Sequence, residues 1–252
     1  MAWETSVLVV ASAIAAGATN VLVGGGSLIT YPTLLALGHP AVLANVSNNL
    51  GLIPGNAAGV LAYRRKLMDA PERVLQLLPA SLLGGLSGAI LLLALPARLF
   101  STLVPLLIAL ASLLMALQPR IRTWVEAGGR AKRLQGLPLQ FGIYLAGCYG
   151  GYFGAAQGVL LLALMAVGLD AGLHQLNGFK NAVALGVNAT AALVFVVCTP
   201  VDWGVAALIA IGTAIGGWLG GHYGQRIPEP LLRRVIVVTG LVVAAVLLMK
   251  RS

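Results

Sequence analysis

Charged side chains in this chain are confined to short clusters, and the apolar runs between them are about as long as a bilayer is thick. No Lys or Arg precedes Arg64, and of the 16 Lys and Arg residues only Lys180 falls well inside an apolar run. Backbone polar groups that cross lipid must be satisfied within their own segment, so runs of this kind fold as helices of about 20 residues. Composition agrees: 9% of the 252 residues are charged, against roughly 25% in a soluble domain. The chain therefore reads as an all-α polytopic membrane protein with no residues to spare for a separate catalytic domain. The net charge of +9 does not indicate nucleic acid, because the basic clusters lack interleaved aromatic residues and sit between apolar runs, where they orient the protein. Cys148 and Cys198 lie in apolar stretches without ligand spacing, so no metal site, disulfide framework or cofactor is expected. The start, Met1 to Glu4, has no basic segment, and a cleaved signal peptide is not expected.

Polar punctuation divides the chain in two. A first repeat, 1–118, holds a broken region at 5–38 and helices at 41–63, 72–95 and 98–118. A basic linker, 119–136, leads to a second repeat, 137–252, with a broken region at 137–169 and helices at 172–198, 203–224 and 231–249. A helix of 34 residues would measure roughly 51 Å, too long for one span and too short for two. Each broken region carries glycine in its middle, at Gly24-Gly25-Gly26-Ser27 and at Ala155-Ala156-Gln157-Gly158. A re-entrant helical hairpin, with its break near half depth, accounts for both facts.

The halves repeat without a gap. Adding 132 maps Gly26 on Gly158, Asn45 on Asn177, Asn49 on Asn181, Asn56 on Asn188, Gly84 on Gly216, Gly88 on Gly220 and Pro96 on Pro228. A hairpin plus three full spans makes an odd number of crossings, so the second half enters the membrane inverted with respect to the first. This plan puts twelve Lys and Arg residues on the linker side (Arg64, Arg65, Lys66, Arg73, Arg120, Arg122, Arg130, Lys132, Arg133, Arg226, Arg233, Arg234) and three opposite (Arg98, Lys250, Arg251). Full spans in place of hairpins would give eleven against four. The positive-inside rule then expects a prokaryotic inner (plasma) membrane protein with a cytoplasmic linker at 119–136 and both termini outside.

Each hairpin's second helix starts at its break, where unpaired N–H groups and a positive dipole end form an anion site. Gly25, Gly26 and Ser27 in the first half, and Gln157 and Gly158 in the second, are the candidate tip residues, with Ser27 a candidate cap. Asn45, Asn49 and Asn56 lie within roughly 40° on one helical face, as do Asn177, Asn181 and Asn188. An amide in lipid must be satisfied, so both stripes should face the protein interior. Asn45, Asn49, Asn177 and Asn181 are placed nearest the tips, Asn48 is a further candidate for substrate binding, and Asn56, Asn188 and His174 lie along a polar path. Lys180, without a neighbouring carboxylate in sequence, needs a bound anion or the neutral form of a proton carrier. The small-xxx-small runs at Gly84 and Gly88 and at Gly212, Gly216 and Gly220 pack helices closely, within one chain or across a homodimer.

Three features are shared with a known family: Gly24-Gly25-Gly26 before an apolar arm ending at Gly38, a polar-studded helix ending at Tyr63-Arg64-Arg65-Lys66, and the same order again from Tyr152-Phe153-Gly154. In these the chain resembles the sulfite exporter TauE/SafE family, also called toluenesulfonate uptake permeases, over essentially its whole length. The resemblance implies a permease for sulfite, thiosulfate, sulfate or organosulfonates. The chain departs from that pattern in its second triplet, Ala156-Gln157-Gly158, and in the absence of Phe-Gly before the first. It departs again where Asn45, Asn48, Asn49 and Asn177, Lys180, Asn181 replace Ser and Thr. The expected function is a secondary transporter moving a small sulfur-containing oxyanion by alternating access. Its coupling ion would be Na⁺ held by carbonyls, or H⁺ carried by Lys180 or His174, or else the flux is uncoupled. The alternatives are an anion channel or a non-transporting membrane scaffold. An intramembrane hydrolase using Ser27 lacks a base in either broken region, so the chain is not expected to be an enzyme.

Overall fold

A computed structural model describes residues 3–126, 135–223 and 229–249. Among them the chain is helical, in eleven elements: α1 (Trp3–Val23), α2 (Ser27–Ala36), α3 (Ala41–Ala62), α4 (Arg64–Met68), α5 (Pro71–Ala94), α6 (Ala97–Glu126), α7 (Leu137–Tyr152), α8 (Gln157–Gly168), α9 (Leu173–Cys198), α10 (Trp203–Tyr223) and α11 (Glu229–Met249). Five helices are long and apolar enough to cross a membrane: Trp3–Val23, Pro71–Ala94, Leu173–Cys198, Trp203–Tyr223 and, within α6, Ala97–Arg120. Their outer faces are leucine-rich and exposed, as at Leu83, Ile90 and Leu91 on α5 and Leu106, Leu110 and Leu113 on α6. Exposed apolar surface on this scale has lipid as its solvent. The polar side chains are inside instead, with Asn45, Asn48, Asn56, Thr30 and Lys180 all buried.

Two differences from the sequence reading concern length. Helix α6 does not stop at 118 but continues to Glu126 through Pro119, taking up the first part of the expected linker; 127–134 and the end of the helix expected at 203–224 lie outside the described residues. The other concerns the depth of the break. Helix α1 has 21 residues, about 31 Å at 1.5 Å per residue, enough to cross by itself. Its last turn lies beside the far part of α3, where Asn20 Nδ2 donates to Asn56 Oδ1 at 2.6 Å. Tyr152, ending α7, lies instead beside Asn45 near the start of α3, its carbonyl accepting from Asn45 Nδ2 at 3.0 Å. The ends of the first arms thus overlap along α3.

Small residues set the packing. Gly84 and Gly88 of α5 bring that helix onto the backbone of α7, at the Tyr144 and Cys148 carbonyls. Gly216 and Gly220 of α10 do the same on α1, at the Ile14 carbonyl and at Ala18, where an added methyl would stand 2.8 Å from Cα. The glycine runs therefore join helices within one chain. The pairings come in matching sets: α1 with α10 and α5 with α7, α3 with α10 and α5 with α9, α2 with α11 and α6 with α8. Helix α3 runs alongside α10 in the same direction, Gly51 at Ile209 and Gly55 at Thr213. It runs against α9, with Asn49 at Asn188 and Gly59 at Asn181. Aromatic rings seal the core beneath the breaks: Tyr31 meets Phe153 edge-on at 5.1 Å and Phe100 meets Tyr152 at 5.5 Å.

Candidate functional site at the two helix breaks

Helix α1 ends because Gly24 takes φ +82°, a left-handed turn that glycine reaches without steric cost. Its N–H closes the turn on the carbonyls of Thr19 and Asn20, at 3.1 and 3.0 Å. In the second half Gly154 makes the same turn, with φ +77° and its N–H on the Tyr149 carbonyl at 3.0 Å, and Ala156, 132 residues on from Gly24, also stands at positive φ, +57°, before the returning helix. The two breaks touch, since a methyl group on Gly24 would stand 2.5 Å from Gly158 Cα, and one on Gly158 equally close to Gly24 Cα. Beyond each break a short helix returns. In its opening turn Leu28 and Ile29 donate to Gly25 and Gly26, and Gln157 and Val159 donate to Gly154 and Ala156. These turns leave the N–H groups of Ser27 and Gly158 without a backbone acceptor.

A buried cavity opens between the breaks. Asn20, Gly24 and Ser27 of the first hairpin line it, with Phe153, Gly154, Gln157 and Gly158 of the second. Helix α3 adds Asn48, Asn49, Leu52 and Asn56, and α9 adds Lys180, Asn181, Ala184 and Asn188. Asn48 is tied to the first hairpin, donating to Ser27 Oγ at 3.3 Å and accepting from Thr30 Oγ1 at 2.5 Å. Asn49 Nδ2 donates to Asn188 Oδ1 at 3.4 Å. Three side-chain atoms of lining residues are fully buried with no hydrogen-bond partner: Gln157 Nε2, Asn56 Nδ2 and Asn49 Oδ1. A buried polar atom left unpaired costs about 1–3 kcal/mol, so two orphaned N–H donors in one cavity mark a place for an acceptor the protein does not supply. Among the described residues no Asp or Glu lines the cavity.

Lys180 is 1% exposed, so it does not reach toward an interface. Its Nζ donates to the carbonyls of Val21 at 3.0 Å and Asn20 at 3.2 Å, and Asn181 Nδ2 reaches the same Val21 oxygen at 3.4 Å. The break at Gly24 takes away the N–H that would otherwise close the Val21 carbonyl, while the Asn20 carbonyl accepts the Gly24 N–H as well as the ammonium. The acceptor is thus the negative end of a broken helix, an option that inspection of neighbouring sequence does not offer.

Seven of the sequence-predicted residues lie together on the cavity: Ser27, Asn48, Asn49, Gln157, Gly158, Lys180 and Asn181; Asn56 and Asn188 of the polar path join them. The others do not line it. Gly25 faces the Met115 side chain, and Gly26 packs on the Ala16 carbonyl. Asn45 is spent on the Tyr152 carbonyl, and Asn177 is buried with its Oδ1 unpaired. His174 is exposed at the start of α9, with its ring 6.5 Å from Tyr63, and takes no part in a polar path. Ser27 makes no side-chain cap; Asn20 Oδ1 accepts the Gly26 N–H instead, at 3.4 Å. Asn20 is the residue the sequence reading missed. As the single amide inside the first apolar run it was legible as a costly polar group in lipid, but it has no counterpart at 152, so the repeat does not flag it.

The family described as Sulfite exporter TauE/SafE matches residues 9–247. The probable membrane transporter protein YfcA of Escherichia coli strain K12 is 26% identical over 240 residues, which cover 94% of this chain and 87% of that protein. The probable membrane transporter protein ORF9 of a Sinorhizobium species is 24% identical over 240 residues, 94% of this chain and 90% of that one. A probable membrane transporter of Haemophilus influenzae is 24% identical over 230 residues, 90% and 88% of the two chains. No solved structure matches. With a match over nearly its whole length and spans of membrane length, the chain is a multi-pass membrane protein that belongs to the sulfite exporter TauE/SafE family of membrane transporters.

Proposed function

We propose that this protein is a secondary transporter that moves a small sulfur-containing oxyanion, such as sulfite, thiosulfate or an organosulfonate, across the cell membrane by alternating access. The observation that carries this reading is the pair of orphaned donors, Gln157 Nε2 and Asn56 Nδ2, in a buried cavity that contains an ammonium and no carboxylate. The cavity measures about 20 Å³ in this structure, and once the alternating cycle widens it an oxyanion accepts from both donors and from the N–H groups of Ser27 and Gly158. Hydrogen bonds to a charged acceptor contribute about 1.5–3 kcal/mol each. Family membership supports an anion cargo, since the description of the family names sulfite.

Access alternates by tilting of the two halves about the Gly24–Gly158 contact, where two glycine backbones meet. The antiparallel course of α3 and α9, equivalent helices at the 132-residue offset, supports an inverted repeat. Such a repeat gives the two membrane faces matching gates. In this reading the linker is cytoplasmic and both termini are outside.

Reconstitution tests it. Purified protein in liposomes should take up radiolabelled sulfite or thiosulfate saturably, with competition by a sulfonate, and Gln157→Leu should raise KM roughly tenfold by removing one charge-assisted bond. Folded protein with no saturable flux of any oxyanion overturns the proposal. Non-saturating flux with unitary currents would make the protein a channel.

A further inference from the structure

The two halves close their broken helices differently, and the difference is one charge. In the second half the carbonyl at the end of α7, on Tyr152, is satisfied by the neutral amide of Asn45. In the first half the carbonyls at the end of α1 receive the Lys180 ammonium as well as the Asn181 amide. Residue 48, the counterpart of Lys180 in the repeat, is an asparagine bonded to Ser27 and Thr30 of its own hairpin. A neutral amide therefore suffices to finish a broken helix in this fold, and the ammonium does something more. It brings a full positive charge to backbone carbonyls at a helix C-terminus, beside a cavity with unpaired donors. Carbonyls of an unwound helix next to an anion site are the ligand set that transporters with broken helices offer to a coupling sodium ion.

We propose that the Lys180 ammonium is a tethered cation standing in a carbonyl cation site formed by Asn20 and Val21, so that anion binding needs no Na⁺. Its stem passes the contact between the breaks, with Cδ 3.2 Å from where a methyl group on Gly158 would stand, so the charge is fixed relative to both tips. Without the tether, the site takes a free monovalent cation. The consequence for coupling rests on the anion-transport reading; occupancy of the site does not, and it is measured separately.

The experiment compares melting of the full-length protein in detergent in NaCl, ethylammonium chloride and choline chloride at equal ionic strength. The wild type should melt at one temperature in all three. Lys180→Ala should melt roughly 5 °C lower in choline, and Na⁺ or ethylammonium should restore at least half of that loss. Lys180→Met, whose stem fills the space without a charge, should be low in all three salts. Selective stabilisation of the wild type by Na⁺ overturns the proposal, as does a Lys180→Ala variant that melts like the wild type or ignores every cation. If Lys180→Ala does not fold, Lys180→Asn, which reproduces the counterpart Asn48, takes its place with the same expected response. In liposomes, wild-type oxyanion flux should be equal with and without a Na⁺ gradient, and a flux that requires Na⁺ refutes the inference. Absence of any flux counts against the transport reading alone, because cation occupancy is read from melting.

Discussion

Gln157, a residue of the cavity wall, has a buried amide nitrogen without a partner, and the amide has room because the residue facing it is Gly150. A methyl group on Gly150 would overlap the Gln157 amide itself. Gly150→Ala should therefore displace the amide and raise the KM for oxyanion uptake roughly tenfold, the loss of one charge-assisted bond. Gly172→Ala, where a methyl group meets nothing within 4 Å, should leave it unchanged. Equal KM in both variants would mean that Gln157 is not on the anion. The neighbouring Ala156 makes a prediction of opposite sign. It stands in the left-handed region, which costs a non-glycine residue about 1–2 kcal/mol, where its counterpart Gly24 bears no such cost. Ala156→Gly should raise the melting temperature by roughly 2–4 °C. An unchanged or lower value would show that the alanine methyl, buried in the core, contributes more by packing than it loses in backbone strain.

Among the elements, packing through bare glycine backbone joins α5 to α7 and α10 to α1 at two separate interfaces. Gly84→Ala and Gly216→Ala each force a methyl into a carbonyl of the facing helix, at Tyr144 and Ile14 respectively. Overpacking of this kind costs about 1–3 kcal/mol. Because the sites share no partner, the double variant should lose the sum of the two to within about 0.5 kcal/mol, measured by denaturant unfolding in micelles. A much smaller combined loss would mean that one interface is already open. The sequence reveals these glycine runs, and it reveals the breaks at 24–26 and 155–158, because each rests on local spacing and on a length that fits no whole number of spans. It does not reveal what the glycines face, since contact between helices depends on how two halves interleave. For the same reason Lys180 looked uncompensated: its acceptors, Asn20 and Val21, are about 160 residues away. The length of α6 was obscured by Pro119 and by the basic residues after it, which mark the end of an apolar run but not the end of a helix.

Over the whole molecule, the two ends of the bundle are each tied by a contact between the halves, and the two contacts join corresponding segments without pairing equivalent residues. At one end His39, after α2, lies 3.8 Å from Asp202, before α10. At the other, Arg73 near the start of α5 donates to the carbonyl of Asp170, before α9, at 2.7 Å. The Arg73 end also carries Arg64, Arg65 and Lys66, the densest basic cluster among the described residues, and the positive-inside rule assigns such a cluster to the cytoplasm. In the proposed orientation the His39–Asp202 end faces outward. In a background lacking Cys148 and Cys198, a single cysteine at position 39 should react with a membrane-impermeant maleimide on intact cells, and one at position 65 only after the membrane is opened. Position 65 is exposed and position 39 half-buried, so labelling of both after the membrane is opened is the control that separates sidedness from burial. Reaction at 65 and protection at 39 would turn the whole protein over in the membrane. Reaction at both from outside would refute the placement of the two contacts at opposite membrane faces, and with it the inverted arrangement on which alternating access depends.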